Sequence, residues 1–344
     1  MFQHRRQSNR HERRVVVVRS EEHRNFFFAS CVVVHNLLSL PRIVKSVQYA
    51  DFFLAIKVDF VYSAAVKKSA KISAVLLSAL LVFQASAKEF RSEENALVQK
   101  IFDFRLSLRT SDTEDECIEK IIAYRTSISD EIKAFSEEAR LTCTNMLATA
   151  QYNCEYAKDM KSPNMEKILR PQYEKITQFT RANEGTDLNP WFILTSADVL
   201  NSMMQFLPQA ESVKIGLQEK KDYADIIAKN PDMSFAYTLS GWWYYYAPAV
   251  GGGSKKLSKD FFIAALKHAK SGYDKFYGNI NLAQFYFEEK NTAECDRLMD
   301  EAEKILSGTR YVKFLRRINA LGYSLFDYNM NSRRDKINRK LANQ

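Results

Sequence analysis

Ile132, Phe135, Ala139, Cys143, Leu147, Ala150 and Cys154 recur at intervals of three or four residues. That interval is the period of one helix face, not the alternation of a half-buried strand. It predicts one long helix or two short ones between Asp130 and Ala157. The same period returns at Leu97, Ile101, Phe104 and Leu108. Ser111-Asp112-Thr113-Glu114 reads as a helix start with acidic residues in its first turn, continued through Cys117 to Tyr124. Asn189-Pro190-Trp191 opens another helix with proline at its first position. Pro163 and Pro171 are expected to punctuate the stretch between them. Long alternating runs are absent from 88–344, so the class expected is all-α.

Charge is distributed unevenly. The chain carries +9, which would raise nucleic acid as a partner. Residues 1–87 hold 13 of the 50 Lys and Arg but 5 of the 41 Asp and Glu. The rest of the chain is therefore close to neutral, and nucleic-acid binding is not expected. Basic residues gather again at the C-terminus, in Arg316-Arg317, Arg333-Arg334, Lys336 and Arg339-Lys340. They read as a solvated helix and tail, with a peripheral contact to an anionic membrane as the functional alternative.

Residues 66–88 have the three parts of a secretory signal peptide. Lys67, Lys68 and Lys71 precede an apolar stretch from Ile72 to Phe83, and Ala85-Ser86-Ala87 is an A-x-A cleavage site. The stretch is short for a membrane span. The expectation is export to a bacterial periplasm, with an uncleaved membrane anchor as the alternative. Residues 1–65 differ in composition, holding His4, His11, His23 and His35. They read as a mis-called extension ahead of a start at Val66, or as a first membrane segment within 26–44.

No motif assembles a nucleophile, a base and an orienting group, so no enzyme and no cofactor are expected. His268 is the lone histidine after residue 88 and reads as a surface or groove residue. Gly251-Gly252-Gly253-Ser254-Lys255 lacks phosphate-loop spacing. Cys117, Cys143, Cys154 and Cys295 show no zinc spacing. On one helix Cys143 and Cys154 would lie about 16 Å apart, too far to pair with each other. They are left to bridge to Cys117 or Cys295, or to pack as small apolar residues.

Residues 241–253 read GWWYYYAPAVGGG. Five consecutive aromatics point all round a helix, and one core face cannot take them all. The stretch 277–306, YGNINLAQFYFEEKNTAECDRLMDEAEKIL, resembles a tetratricopeptide (TPR) repeat, a helix–turn–helix unit of roughly 34 residues. Leu282, Ala283, Tyr286, Cys295, Met299 and Ala302 fall on its scaffold positions. The stretch 234–271 resembles a second, longer unit, with Tyr237, Gly241, Tyr244, Phe262, Ala265 and Leu266 in those roles. Pro248 ends its first helix and the triple glycine lengthens its turn.

The resemblance implies an α-solenoid of antiparallel hairpins over 189–306. Less regular hairpins are expected over 88–188, and a C-terminal helix with a basic tail over 307–344. A signal peptide, TPR units and an extended glycine-containing turn are together similar to periplasmic TPR components of TRAP-type solute transporters. First helices of TPR units line a concave groove. The resemblance places Phe235, Thr238, Trp242, Tyr245 and Tyr246 on it from one unit, and Tyr277, Ile280, Gln284, Phe287 and Glu288 from the next. Such an aromatic surface suits a protein partner or transporter subunit. The alternative is a solute-binding accessory holding a small apolar or aromatic ligand. A helix within 309–327 packing into the groove would instead make these residues core.

Overall fold

The computed structural model describes residues 88–343. The expectations for the extension, the signal peptide, its cleavage site and the anchor lie outside the described residues. Among the described residues every regular element is helical. None of these helices is long and apolar enough to cross a membrane.

Most of the helices begin where a side chain satisfies a free amide; those at Asn164, Gln209, Ser234 and Asn331 do not. α1 spans Ser92–Ser107. Thr113 caps α2, Glu114–Ser127, accepting from the Glu116 amide at 3.1 Å. A short 3-10 turn, Glu131–Ala134, precedes α3, Glu137–Lys158, which is capped by Ser136. The periodic face that opens the sequence is thus a turn followed by one long helix. α4 is Asn164–Ala182 and α5 is Pro190–Met203, the latter capped by Asn189. α6 is Gln209–Lys229 and α7 Ser234–Tyr246. Ser254 caps α8, Lys255–Lys267, and Ser271 caps α9, Gly272–Glu288. α10 is Thr292–Ile305, α11 Arg310–Ala320, α12 the single turn Leu325–Tyr328, and α13 Asn331–Ala342.

One expectation needs correcting. Pro171 does not interrupt the chain but lies inside α4. Proline forfeits a main-chain hydrogen bond there. Leu169, Ile176 and Phe179, buried along the same helix, carry it through the break.

α7 packs along α8, and α9 along α10, as tight helical pairs. Gly241 sets the spacing of the first pair. A Cβ there would sit 2.6 Å from Phe262 Cε1, and Ser258 Oγ donates to the Gly241 carbonyl at 2.6 Å. α2, α3, α4 and α5 form a second group. α1 joins the two, touching α3 on one side and α9 on the other. Its Phe102 meets Trp191 of α5, Phe235 of α7 and Tyr273 of α9, with ring centroids 5.3, 5.4 and 4.8 Å away. One buried cluster consequently runs from Phe90 through Ile337.

Candidate ligand cavity

The five aromatics of α7 are divided among three tasks. Trp243 turns back to α6, where its indole N–H donates to the Gly216 carbonyl at 2.8 Å. Tyr244 stacks on Phe261 of α8 at 5.1 Å. Trp242, Tyr245 and Tyr246 take the opposite side, where the groove was expected. Phe326 of α12 occupies that place. It is fully buried, stacks on Tyr245 at 4.1 Å, and meets Trp242 and Phe285 at 5.3 and 5.0 Å. The Tyr246 hydroxyl donates to the Phe326 carbonyl at 3.2 Å.

Polar groups hold the same segment. Gln284 is fully buried and exchanges hydrogen bonds with Asn319 at 3.1 and 3.0 Å. Its Oε1 also accepts from the Leu325 amide at 2.8 Å. Glu288 accepts from the Tyr245 hydroxyl, Ser324 Oγ and Lys255 Nζ. The structure therefore places Tyr245, Tyr246 and Gln284 in the seat of the C-terminal segment. Ile280 is core, and Phe287 is half-buried against it.

The other four expected groove residues line a cavity. Phe235, Thr238 and Trp242 of α7 and Tyr277 of α9 face a partly open space of about 300 Å³ between α1, α2, α3 and the C-terminal helices. α12 and α13 form its far wall by reaching back to α3. Tyr156 hydrogen-bonds Asn331 Oδ1 at 2.7 Å, and the Arg334 guanidinium lies 4.2 Å from the Tyr156 ring centroid.

Four arginines give this cavity its chemistry. Arg310 is paired with Glu114 at 2.7 Å. Arg105 reaches Asp198 at 3.5 Å, and its Nη1 is buried without a hydrogen-bond partner. Arg109 and Arg334 have tyrosines rather than carboxylates as partners. Arg109 donates to the Tyr277 hydroxyl at 2.7 Å and stacks 4.3 Å from the Tyr311 centroid. Arg334 sits between Tyr156 and Tyr328 and reaches the Tyr156 carbonyl at 3.4 Å, and its Nε is buried without a partner. A guanidinium keeps its charge at any accessible pH. Four arginines thus face three carboxylates, Glu114, Asp198 and Asp274, on a wall that also carries apolar Phe235, Leu239 and Trp242.

Asp198 adjoins a second buried acid. Glu219 of α6 is 2 % exposed. Burial pushes its carboxyl well above the usual range; Asn201 opposes this, and Asp222 and Asp198 add repulsion. A carboxyl raised on folding holds its proton in the native state and releases it on unfolding. Its contribution is thus complete below the unfolded value of about 4.3 and is lost as pH rises through the native value. Glu219→Gln removes that loss. The variant is expected to melt above the parent at pH 8, by on the order of 1 kcal/mol, with the gap shrinking toward pH 4. Thermal melts across that range check this, and equal gaps at both ends would refute it.

The C-terminal basic residues are partly consumed inside the molecule. Arg316 pairs with Asp300 at 2.5 Å, Arg317 donates to the Leu341 carbonyl at 3.3 Å, Arg333 pairs with Asp327, and Arg334 enters the cavity. His268 stacks on Tyr237 at 5.3 Å and lies 3.3 Å from Asp232. All four cysteines after residue 88 are free and buried.

Compared with known proteins, the chain matches no family model and no curated sequence.

Arg105, Arg109 and Tyr273 were not singled out in the sequence, and Arg334 was read there as part of a solvated basic tail, whereas it is buried at the cavity. A local signal existed for two of them. Arg105 and Arg109 lie one turn apart on the face that carries Leu97, Ile101 and Leu108, an unusual place for two arginines. Nothing local marks Arg334.

Proposed function

We propose that this protein is a non-enzymatic, exported, TPR-like binding protein that holds a small amphipathic anion in the cavity. The anion would have an apolar or aromatic body and an oxyanion head. One observation carries the reading. Arg105, Arg109 and Arg334 meet at a single cavity, and Arg105 Nη1 and Arg334 Nε are buried there without a hydrogen-bond partner. Arginine forks suit carboxylate and phosphate, and Phe235, Leu239 and Trp242 supply the surface for the body.

Further features support the finer parts. Gly241 against Phe262 is the close approach a TPR unit needs, and Ala283, Cys295, Met299 and Ala302 are all buried in the next pair. Lys88 would be the first residue after signal cleavage. It is tied to Glu138 at 2.5 Å, and its carbonyl accepts from Asn189 Nδ2 at 2.7 Å. Phe326 stands where the protein-partner reading would seat its partner, so small-ligand binding has the stronger support. A role as a solute-binding accessory of a transporter follows from this reading.

Octanoate, octyl phosphate, octanol and octylamine share one tail and differ in head. Tryptophan fluorescence titrations are expected to show the two anions binding at least tenfold more tightly than the alcohol, and the amine weakest. Arg109→Gln is expected to weaken the anions by about tenfold, the worth of one charge-assisted hydrogen bond, and to leave the alcohol unchanged. If none of the four perturbs the fluorescence or the melting temperature, the reading fails.

A further inference from the structure

Cys117 of α2 and Cys154 of α3 meet at the cavity wall, with Glu114 one turn before Cys117. One ligand atom from each of the three lies within 4.8 Å of the others. Cys117 and Cys154 also pack in the core, where Cys117 Sγ donates to the Leu108 carbonyl at 3.4 Å, and Glu114 pairs with Arg310. Two thiols and a carboxylate sharing one small volume are a poor apolar contact, but a good donor set for a thiophilic cation.

We propose that Glu114, Cys117 and Cys154 form a binding site for a zinc-class divalent cation, with the remaining position open to the cavity. Tetrahedral zinc with sulfur at about 2.3 Å needs ligand atoms roughly 3.8 Å apart. The trio's ligand atoms, within 4.8 Å of one another, have to close by up to about 1 Å to meet it. Its surroundings are also those of a ligand set. Glu114 Oε1 accepts from Arg310 at 2.7 Å, which fixes the carboxylate and leaves its second oxygen for the cation. Arg109 and Arg310 line the same wall of the cavity, so positive charge stands close to the anionic ligand set. Two thiolates and one carboxylate around a divalent ion leave a net charge of −1, which the two guanidiniums offset.

The other two cysteines supply internal controls. Cys143 and Cys295 are buried, and neither belongs to a group of three close ligand atoms among the described residues. They should not bind a cation.

The test is a titration of the full, reduced chain with cobalt(II), followed by zinc(II). The expected result is one equivalent of cobalt with a sulfur-to-cobalt charge-transfer band and tetrahedral visible bands, abolished stoichiometrically by zinc. Cys117→Ser and Cys154→Ser each lose the band, and Cys143→Ser retains it. Arg310→Gln weakens binding by about 10–100-fold, as outer-shell changes do. Circular dichroism of each variant reports folding separately. The proposal is overturned if the folded parent shows no thiolate–cobalt band, or if the band survives in both Cys117→Ser and Cys154→Ser.

Discussion

Phe326→Ala lowers the stability of the folded chain by about 3–5 kcal/mol, the upper range for removing a buried aromatic ring. The ring is fully buried and is touched by Trp242, Tyr245, Phe262 and Phe285, with centroids between 4.1 and 6.2 Å away. Truncation leaves a space bounded by rings that are fixed at their backbones, so collapse is limited. Tyr245 and Glu288 then lose the packing that shields their hydrogen bond. Denaturant titration reads the loss. The fluorescence of Trp242 reads its place, because a red shift in the native baseline would mean that α12 has left its seat. Phe326→Leu keeps most of the volume and is expected to lose less than half as much. A loss under 1 kcal/mol for Phe326→Ala would show that the C-terminal segment is not held by this ring. The cavity would then need another explanation for its far wall, since Arg334 and Tyr328 reach it only with α12 seated.

Gly253→Ala is expected to cost about 2–3 kcal/mol, a typical overpacking penalty. A Cβ at Gly253 would stand 1.7 Å from the Ala247 carbonyl oxygen. The obstacle is main chain, so no rotamer change relieves it. The turn cannot easily open either. Gly253 N–H donates to Pro248 O at 3.0 Å and Ser254 N–H to Tyr244 O at 2.9 Å, tying the loop to the end of α7. Neighbouring Gly252 has φ of +94°, where a side chain is strained for a different reason. Gly272 is the control: its Cβ would find Leu106 Cδ2 at 3.5 Å, ordinary contact. Gly272→Ala should therefore be near neutral in the same denaturation assay. Equal stability for Gly253→Ala and the parent would refute the turn geometry.

Both predictions concern the tract GWWYYYAPAVGGG, and they show how far a sequence can be read. Pro248 at the helix end and the extended turn were legible, because proline and glycine act on their own backbone. The split of the aromatics was legible in part. That Trp243 leaves the expected groove side follows from one helical rotation, whereas Trp242, Tyr245 and Tyr246 could have faced either a partner or a segment of the same chain. Phe326 decides between these, 80 residues away along the chain from the tyrosine it binds through its carbonyl. Of the ten residues expected to face a groove, Phe235, Thr238, Trp242 and Tyr277 line the cavity, Tyr245, Tyr246, Gln284 and Glu288 secure the segment that walls it, and Ile280 and Phe287 pack with the core.

By itself the sequence determined that the class is all-α, where the helices at Glu114 and Pro190 start, and which face of the long helix before Ala157 is apolar. Those properties depend on residues within four positions of one another and on caps that satisfy their own helix. Only the tertiary structure decided that α1 lies between the two helical groups, that α12 fills the aromatic face, and that the cavity is cationic. Arg334 is 178 residues from the carbonyl it reaches in α3. Its charge acquires meaning when closure of the chain brings it between Tyr156 and Tyr328 and excludes the solvent that would otherwise screen it.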